Sequence, residues 1–146
     1  MKKTWTSLPL MLVLLAGLWL PSVHAADDEK LFVSLTSDEI NRASMAIMFS
    51  HKVLTERKIP VTIFLNVEGV RLADTSIPQA KHPSGKSPTE MLTGFLADGG
   101  TVLICPMCMK YVGGIAPEQL IEGVQIGKPD VTWPALFAEG TRILSY

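Results

Sequence analysis

The sequence predicts an α/β domain with a mostly parallel sheet. Short apolar runs of strand type alternate with stretches of helical spacing. That alternation implies right-handed βαβ crossovers. The chain, at 146 residues with 47% hydrophobic, also has the size and core content of one domain.

Charge and composition exclude several classes. Thirteen Lys+Arg against 14 Asp+Glu give a formal charge of −1. Nucleic acid is not an expected partner, because phosphates need a basic face. Two cysteines cannot build a disulfide-dense scaffold. Ten prolines and the apolar content argue against a disordered tail or a coiled coil.

Residues 1–25 read as a secretory signal peptide. Lys2 and Lys3 precede the apolar run Leu8–Leu20, and Val23 and Ala25 suit a cleavage site after Ala25. The run is short of the roughly 20 residues a membrane span needs. An uncleaved N-terminal anchor is the rival reading. Removing 25 of the 146 residues leaves 121, with 11 Lys+Arg against 14 Asp+Glu, a charge of −3. The remainder has no long apolar run and is expected to be soluble, in the periplasm or otherwise exported. Cysteines in such an oxidising compartment are oxidised, metal-bound or kept reduced for a task.

The elements follow in order. Leu31–Leu35 is a buried strand, apolar and bounded by polar residues. Thr36 and Glu39 have capping-box spacing, and Asp38 and Glu39 suit a helix N-terminus. Ile40, Ala43, Ile47, Val53 and Leu54 then recur at helical spacing to about Lys58, and Pro60 stops the helix. Met45 and Met48 are expected in the core, and His51 on the helix surface. Val61–Leu65 is a second strand. Residues 66–86 form a long connection, which points to a short helix near Val70–Ala73 or to a lid. His82 lies in it. Ser87-Pro88-Thr89-Glu90 starts a helix that runs to about Asp98 and stops at Gly99-Gly100. Thr101–Ile104 is the third strand. Residues 106–112 begin a helix or turn closed by Gly113-Gly114. Pro117–Glu122 is expected as a short helix, Val124–Ile126 as a strand, Asp130–Ala138 as a helix weakened by Pro134, and Thr141–Tyr146 as the last strand.

Sites in open α/β sheets gather at the C-terminal ends of the strands. Thr36-Ser37, Asn66-Val67-Glu68 and Cys105-Pro106-Met107-Cys108-Met109-Lys110 stand there. The last segment holds both cysteines, and four of its first five residues carry sulfur. Three chemistries fit. Cys105 can be a thiolate nucleophile that attacks sulfane sulfur or a disulfide, with Cys108 as second thiol and Lys110 adding positive potential. Cys105, Cys108, Met107 and Met109 can instead hold Cu(I) as a cofactor, since thiolates and thioethers select it. Zinc fits less well, because only His51 and His82 remain as nitrogen donors. The pair can also be a structural or redox disulfide. Against these, Met107 and Met109 are equally well read as packing residues. Gly113-Gly114 reads as a turn. GxGxxG, Walker, HExxH and GxSxG motifs are absent from the sequence.

From about Lys30 to Tyr146 the chain resembles the DsrE/DsrF-like family of sulfur-trafficking proteins. The resemblance rests on strand Leu31–Leu35 with its following helix, and on strand Thr101–Ile104 ending in Cys105, with Gly113 eight residues later. Leu120-Ile121-Glu122-Gly123-Val124 and Thr141-Arg142-Ile143-Leu144-Ser145-Tyr146 are similar to the family's last helix and strand. It implies a three-layer α/β/α fold of about five strands, flavodoxin-like in general appearance. It implies a persulfide-carrying cysteine at Cys105, a sulfur-donor or acceptor protein as partner, and homo-oligomers, often trimers or hexamers. Only Cys105 carries over. Cys108, Met107, Met109 and export depart from the one-cysteine cytoplasmic relays, and keep a copper-handling partner open as the alternative.

Overall fold

A computed structural model describes residues 28–146 of the chain. The signal peptide expected over residues 1–25 lies outside the described residues. The order is β1 (Lys30–Leu35), α1 (Ile40–Arg57), β2 (Val61–Leu65), α2 (Pro88–Ala97), β3 (Thr101–Ile104), α3 (Pro106–Cys108), β4 (Gln125–Ile126), α4 (Pro129–Phe137) and β5 (Thr141–Ser145).

The five strands form one sheet in the order β4-β3-β2-β1-β5. Every neighbouring pair is parallel. The only antiparallel pairing among the described residues is an isolated bridge between Asp74 and Leu120. The chain steps one way from β1 to β4, so right-handed crossovers put α1 and α2 on one face. The step from β4 to β5 returns across the sheet and lays α4 on the other face. This is the three-layer α/β/α arrangement.

Strand alternation sorts the side chains. Leu31, Val33, Leu35, Ile63, Leu65, Val102 and Ile104 face α1 and α2, and meet Ala43, Ile47, Leu92 and Phe95 in one core. Phe32, Phe64 and Leu103 face the α4 side, with the two phenyl rings 5.9 Å apart. That second layer is thin. Trp133 and Phe137 on α4 and Ile143 on β5 remain exposed.

The start of α1 corrects one expectation. Thr36 does not cap the helix; its hydroxyl donates to the Tyr146 carbonyl at 2.6 Å. Glu39 is the cap itself, and its carboxylate accepts from the N–H groups of Asn41 and Arg42 at 3.0 and 2.9 Å. Met45 is a second correction. It is exposed, because α1 buries the stripe Ala43, Ala46, Ile47 and Ser50. Met48 packs against the core as expected. At α2 the capping box is complete: Glu90 N–H donates to Ser87 Oγ at 3.2 Å, and Ser87 N–H to Glu90 Oε2 at 2.7 Å.

The long connection after β2 opens with a 3-10 helix over Val67–Ala73, which buries Gly69, Val70, Leu72 and Ala73. It is a wall of the core at the C-terminal edge of the sheet. The expected helix over Pro117–Glu122 shrinks to a 3-10 turn at Pro117–Gln119, after which Ile121 N–H bonds back to the Ala73 carbonyl at 2.9 Å.

Candidate functional site

The strand ladder continues one row past the ends of β2, β3 and β4. Asn66 N–H donates to the Leu35 carbonyl at 3.0 Å, Cys105 N–H to Leu65 at 2.9 Å, and Gly127 N–H to Ile104 at 2.8 Å. Cys105 therefore stands in a row between Asn66 and Gly127. Its N–H is taken by the sheet, which fixes the backbone from which its thiol projects.

Pro106 cannot extend a ladder, and it fills the first helical position after Cys105. The chain turns sharply there. Cys105 becomes the cap of α3, and its Sγ accepts the Cys108 N–H at 3.4 Å. Its carbonyl accepts the Met109 N–H at 2.8 Å. A wide helical turn over Met109–Gly113 follows and closes at Gly114. Both thiols are free and partly exposed.

The two sulfurs are not equivalent. Burial pushes the Cys108 thiol above its ordinary value of 9.0, and its hydrogen bond to Cys105 pushes the same way. The charges of Cys105 and Glu68 add to the rise, while the Val67 N–H opposes it. Val67 has φ 49°, left-handed backbone for a β-branched residue. Such conformations cost on the order of 1–3 kcal/mol and persist only when their surroundings hold them. Gly69, next in the wall, lies so close to β1 that an added Cβ would strike the Leu35 carbonyl.

The remaining candidates divide. Met107 is 64% exposed, whereas Met109 is 8% exposed and belongs to the core. The two thioethers are thus turned to different surroundings. Lys110 lies over the Tyr111 ring, 5.0 Å from its centre, and makes no ion pair among the described residues. Val67, Met107, Tyr111 and Val112 leave exposed apolar surface around the cysteines. His51 is engaged elsewhere, 2.6 Å from Asp98, and His82 bonds Ser84 in its own turn. Among the described residues no cluster of three or more His, Cys, Asp or Glu side chains could hold a metal ion.

Sequence reasoning reached Asn66 by its place after a strand, but missed Gly127 and Thr132. Gly127 directly follows the fourth strand, which was the available signal. Nothing local marks Thr132, whose hydroxyl lies against Gly127 from the start of α4.

No protein-family model matches the chain, and no curated protein matches it. Solved structures do. The YchN protein from Escherichia coli superposes with a TM-score of 0.64 at 19% identity, over 81% of this chain and 99% of that one. MTH1491 from Methanobacterium thermoautotrophicum superposes with a TM-score of 0.60 at 16% identity, over 82% of this chain and 100% of that one. YchN has the DsrE/DsrF-like fold. The all-parallel five-stranded sheet and these superpositions give this chain a DsrE-like fold.

Proposed function

We propose that this protein is an exported sulfur carrier whose Cys105 accepts sulfane sulfur and passes it on. One observation carries the reading. Cys105 Sγ receives the Cys108 N–H, while the Cys108 thiol itself is held protonated by burial and by Cys105. One sulfur has a donor waiting for negative charge; its neighbour is disfavoured as a thiolate.

In loading, the Cys105 thiolate attacks the outer sulfur of a donor persulfide. A new S–S bond forms on Cys105, the donor's S–S bond breaks, and the electron pair leaves on the donor thiolate. Discharge is the same exchange with an acceptor thiolate attacking the outer sulfur. A competing exit exists: the Cys108 thiolate attacks Cys105 Sγ, forms the Cys105–Cys108 disulfide and expels the outer sulfur as hydrosulfide. A Cys108 thiol kept protonated slows that loss. Val67, Met107, Tyr111 and Val112 offer the apolar collar a donor or acceptor protein needs for transient docking. Cu(I) binding has less support, because Met109 is turned into the core.

Self-association belongs to the same reading. Trp133 and Phe137 share one face of α4, and Ile143 stands on the same side of the sheet, all exposed. Apolar residues grouped this way mark a contact surface.

The test is intact-mass spectrometry of the protein exposed to inorganic polysulfide. The expected species is one sulfur atom heavier, is removed by dithiothreitol, and is absent from Cys105→Ser. Equal loading of Cys105→Ser refutes the reading.

A further inference from the structure

Three buried side-chain polar atoms lack a hydrogen-bond partner among the described residues: Ser44 Oγ, Asn66 Oδ1 and Thr132 Oγ1. One of the three, Asn66, flanks Cys105, and a second, Thr132 Oγ1, lies against the residue on the other side. Asn66 is its ladder neighbour on one side. Gly127 is its neighbour on the other, and Thr132 Oγ1 lies 2.8 Å from where a Gly127 Cβ would stand. A residue with a side chain would displace that hydroxyl; glycine leaves it room. Neighbouring strands lie about 4.8 Å apart, so Asn66 and Gly127 each stand one strand spacing from the Cys105 backbone, and the Thr132 hydroxyl sits over Gly127.

The face agrees as well. Asn66 follows Phe64 by two residues and bonds Ser34, which places it on the α4 side of the sheet. Gly127 meets Phe64 from the same side. Cys105 follows Leu103 by two residues, and strand alternation directs it there too.

Leaving a buried polar group unpaired is costly, so such atoms call for an explanation. Thr132 is only 8% exposed, and its hydroxyl can donate. Asn66 Nδ2 donates to Ser34 Oγ at 2.9 Å, which leaves the diverging end of the planar amide turned away from Ser34. A serine hydroxyl donates as readily as it accepts. The amide can therefore swap its ends, with Ser34 donating to Oδ1 and Nδ2 freed on the side of β3.

We propose that Asn66 and Thr132 bind the outer sulfur of a Cys105 persulfide, the Thr132 hydroxyl and the Asn66 amide donating to its negative charge. This rests on the sulfur-carrier reading and adds the residues that retain the cargo. The unloaded protein carries two unpaired groups, and the loaded one pairs them. Loading is therefore favoured by a defect already built into the empty site.

The experiment loads the full chain with inorganic polysulfide and times the loss of the outer sulfur to cyanide. In Thr132→Val the loss is expected to be about tenfold faster, the size of one charge-assisted hydrogen bond. Thr132→Ser keeps the wild-type rate. Thr132→Val also melts higher than wild type when unloaded, because the orphan hydroxyl is gone. A merely structural Thr132 would give the opposite pairing, lower melting with unchanged retention. Asn66→Asp is the second variant; its carboxylate repels the cargo and shortens its lifetime. Retention as long as wild type in both variants overturns the proposal. If the wild type takes up no sulfur, the carrier reading fails first, and this inference with it.

Discussion

Cys108 donates its backbone N–H to Cys105 Sγ at 3.4 Å, so the later cysteine serves the earlier one. Burial and the hydrogen bond to Cys105 hold the Cys108 thiol above 9.0. A raised thiol value means less thiolate at any pH below it, and the thiolate is the reacting species. Brief iodoacetamide treatment near pH 8 is therefore expected to label Cys105 several-fold ahead of Cys108. The gap narrows as pH rises through the Cys108 value. Peptide mapping reads both labels, and equal labelling at neutral pH would contradict the unequal pair.

The wall behind the cysteines depends on Gly69. A Cβ there meets the Leu35 backbone, which cannot move without disturbing the β1–β2 ladder. Gly69→Ala should cost about 3 kcal/mol, at the upper end for overpacking. Chemical denaturation measures the loss. A variant as stable as wild type would mean that Val67–Ala73 shifts freely off the sheet.

Val67 predicts the reverse sign. Its left-handed backbone suits glycine, whereas a β-branched residue strains there. Relief of strain outweighs glycine's added freedom in the unfolded chain, so Val67→Gly is expected to gain about 0.5 kcal/mol. The same variant removes apolar surface from the collar and should weaken docking of a partner. Lower stability would show that the neighbouring contacts, not the backbone, set the energy.

These sites show what the sequence made legible. The strands at Leu31–Leu35, Val61–Leu65 and Thr101–Ile104 match the structure within one residue, because each is a short apolar run with clear ends. The α2 capping box was equally plain, being wholly local. The α1 cap was misread because the hydroxyl of Thr36 is claimed by Tyr146, 110 residues away. Cys105 could be placed at a strand end by pattern alone. That Gly127 lies beside it could not be read, since the pairing of β4 with β3 is set by strand order, and Thr132 comes in only through its contact with Gly127. Met107 and Met109 illustrate the same limit: two residues apart, one is exposed and the other is core.

Acid should loosen both main helices at their starts. Backbone N–H bonds from Asn41 and Arg42 hold the Glu39 carboxyl below 4.5, and the Ser87 N–H does so for Glu90. A depressed carboxyl stabilises the fold above its unfolded value. That contribution fades as pH falls through the lower folded value. The melting temperature is expected to drop below about pH 4.5, and less so in a Glu39→Gln, Glu90→Gln double variant, which has already lost the charge. Ser87→Ala, which removes the other half of the α2 box, should cost about 1 kcal/mol at neutral pH. Identical acid profiles for wild type and the double variant would assign the acid loss to other carboxylates.

The proposed self-association is the broadest expectation tied to the thin second layer. α4 is the one helix covering that face among the described residues, and it turns Trp133 and Phe137 outward. A single chain gains nothing from that arrangement, since both rings would be favoured against an apolar partner by roughly 1.5–3 kcal/mol each if fully buried. On the proposed reading, a Trp133→Ser, Phe137→Ser double variant should leave the monomer folded and shift sedimentation from the wild-type assembly to the monomer. Thiol labelling of Cys105 should persist in that monomer, because the cysteines sit at the strand ends and the rings on α4. Wild type that sediments as a monomer at all accessible concentrations would remove the oligomer from the reading, while leaving the chemistry of Cys105 to be judged by sulfur loading alone.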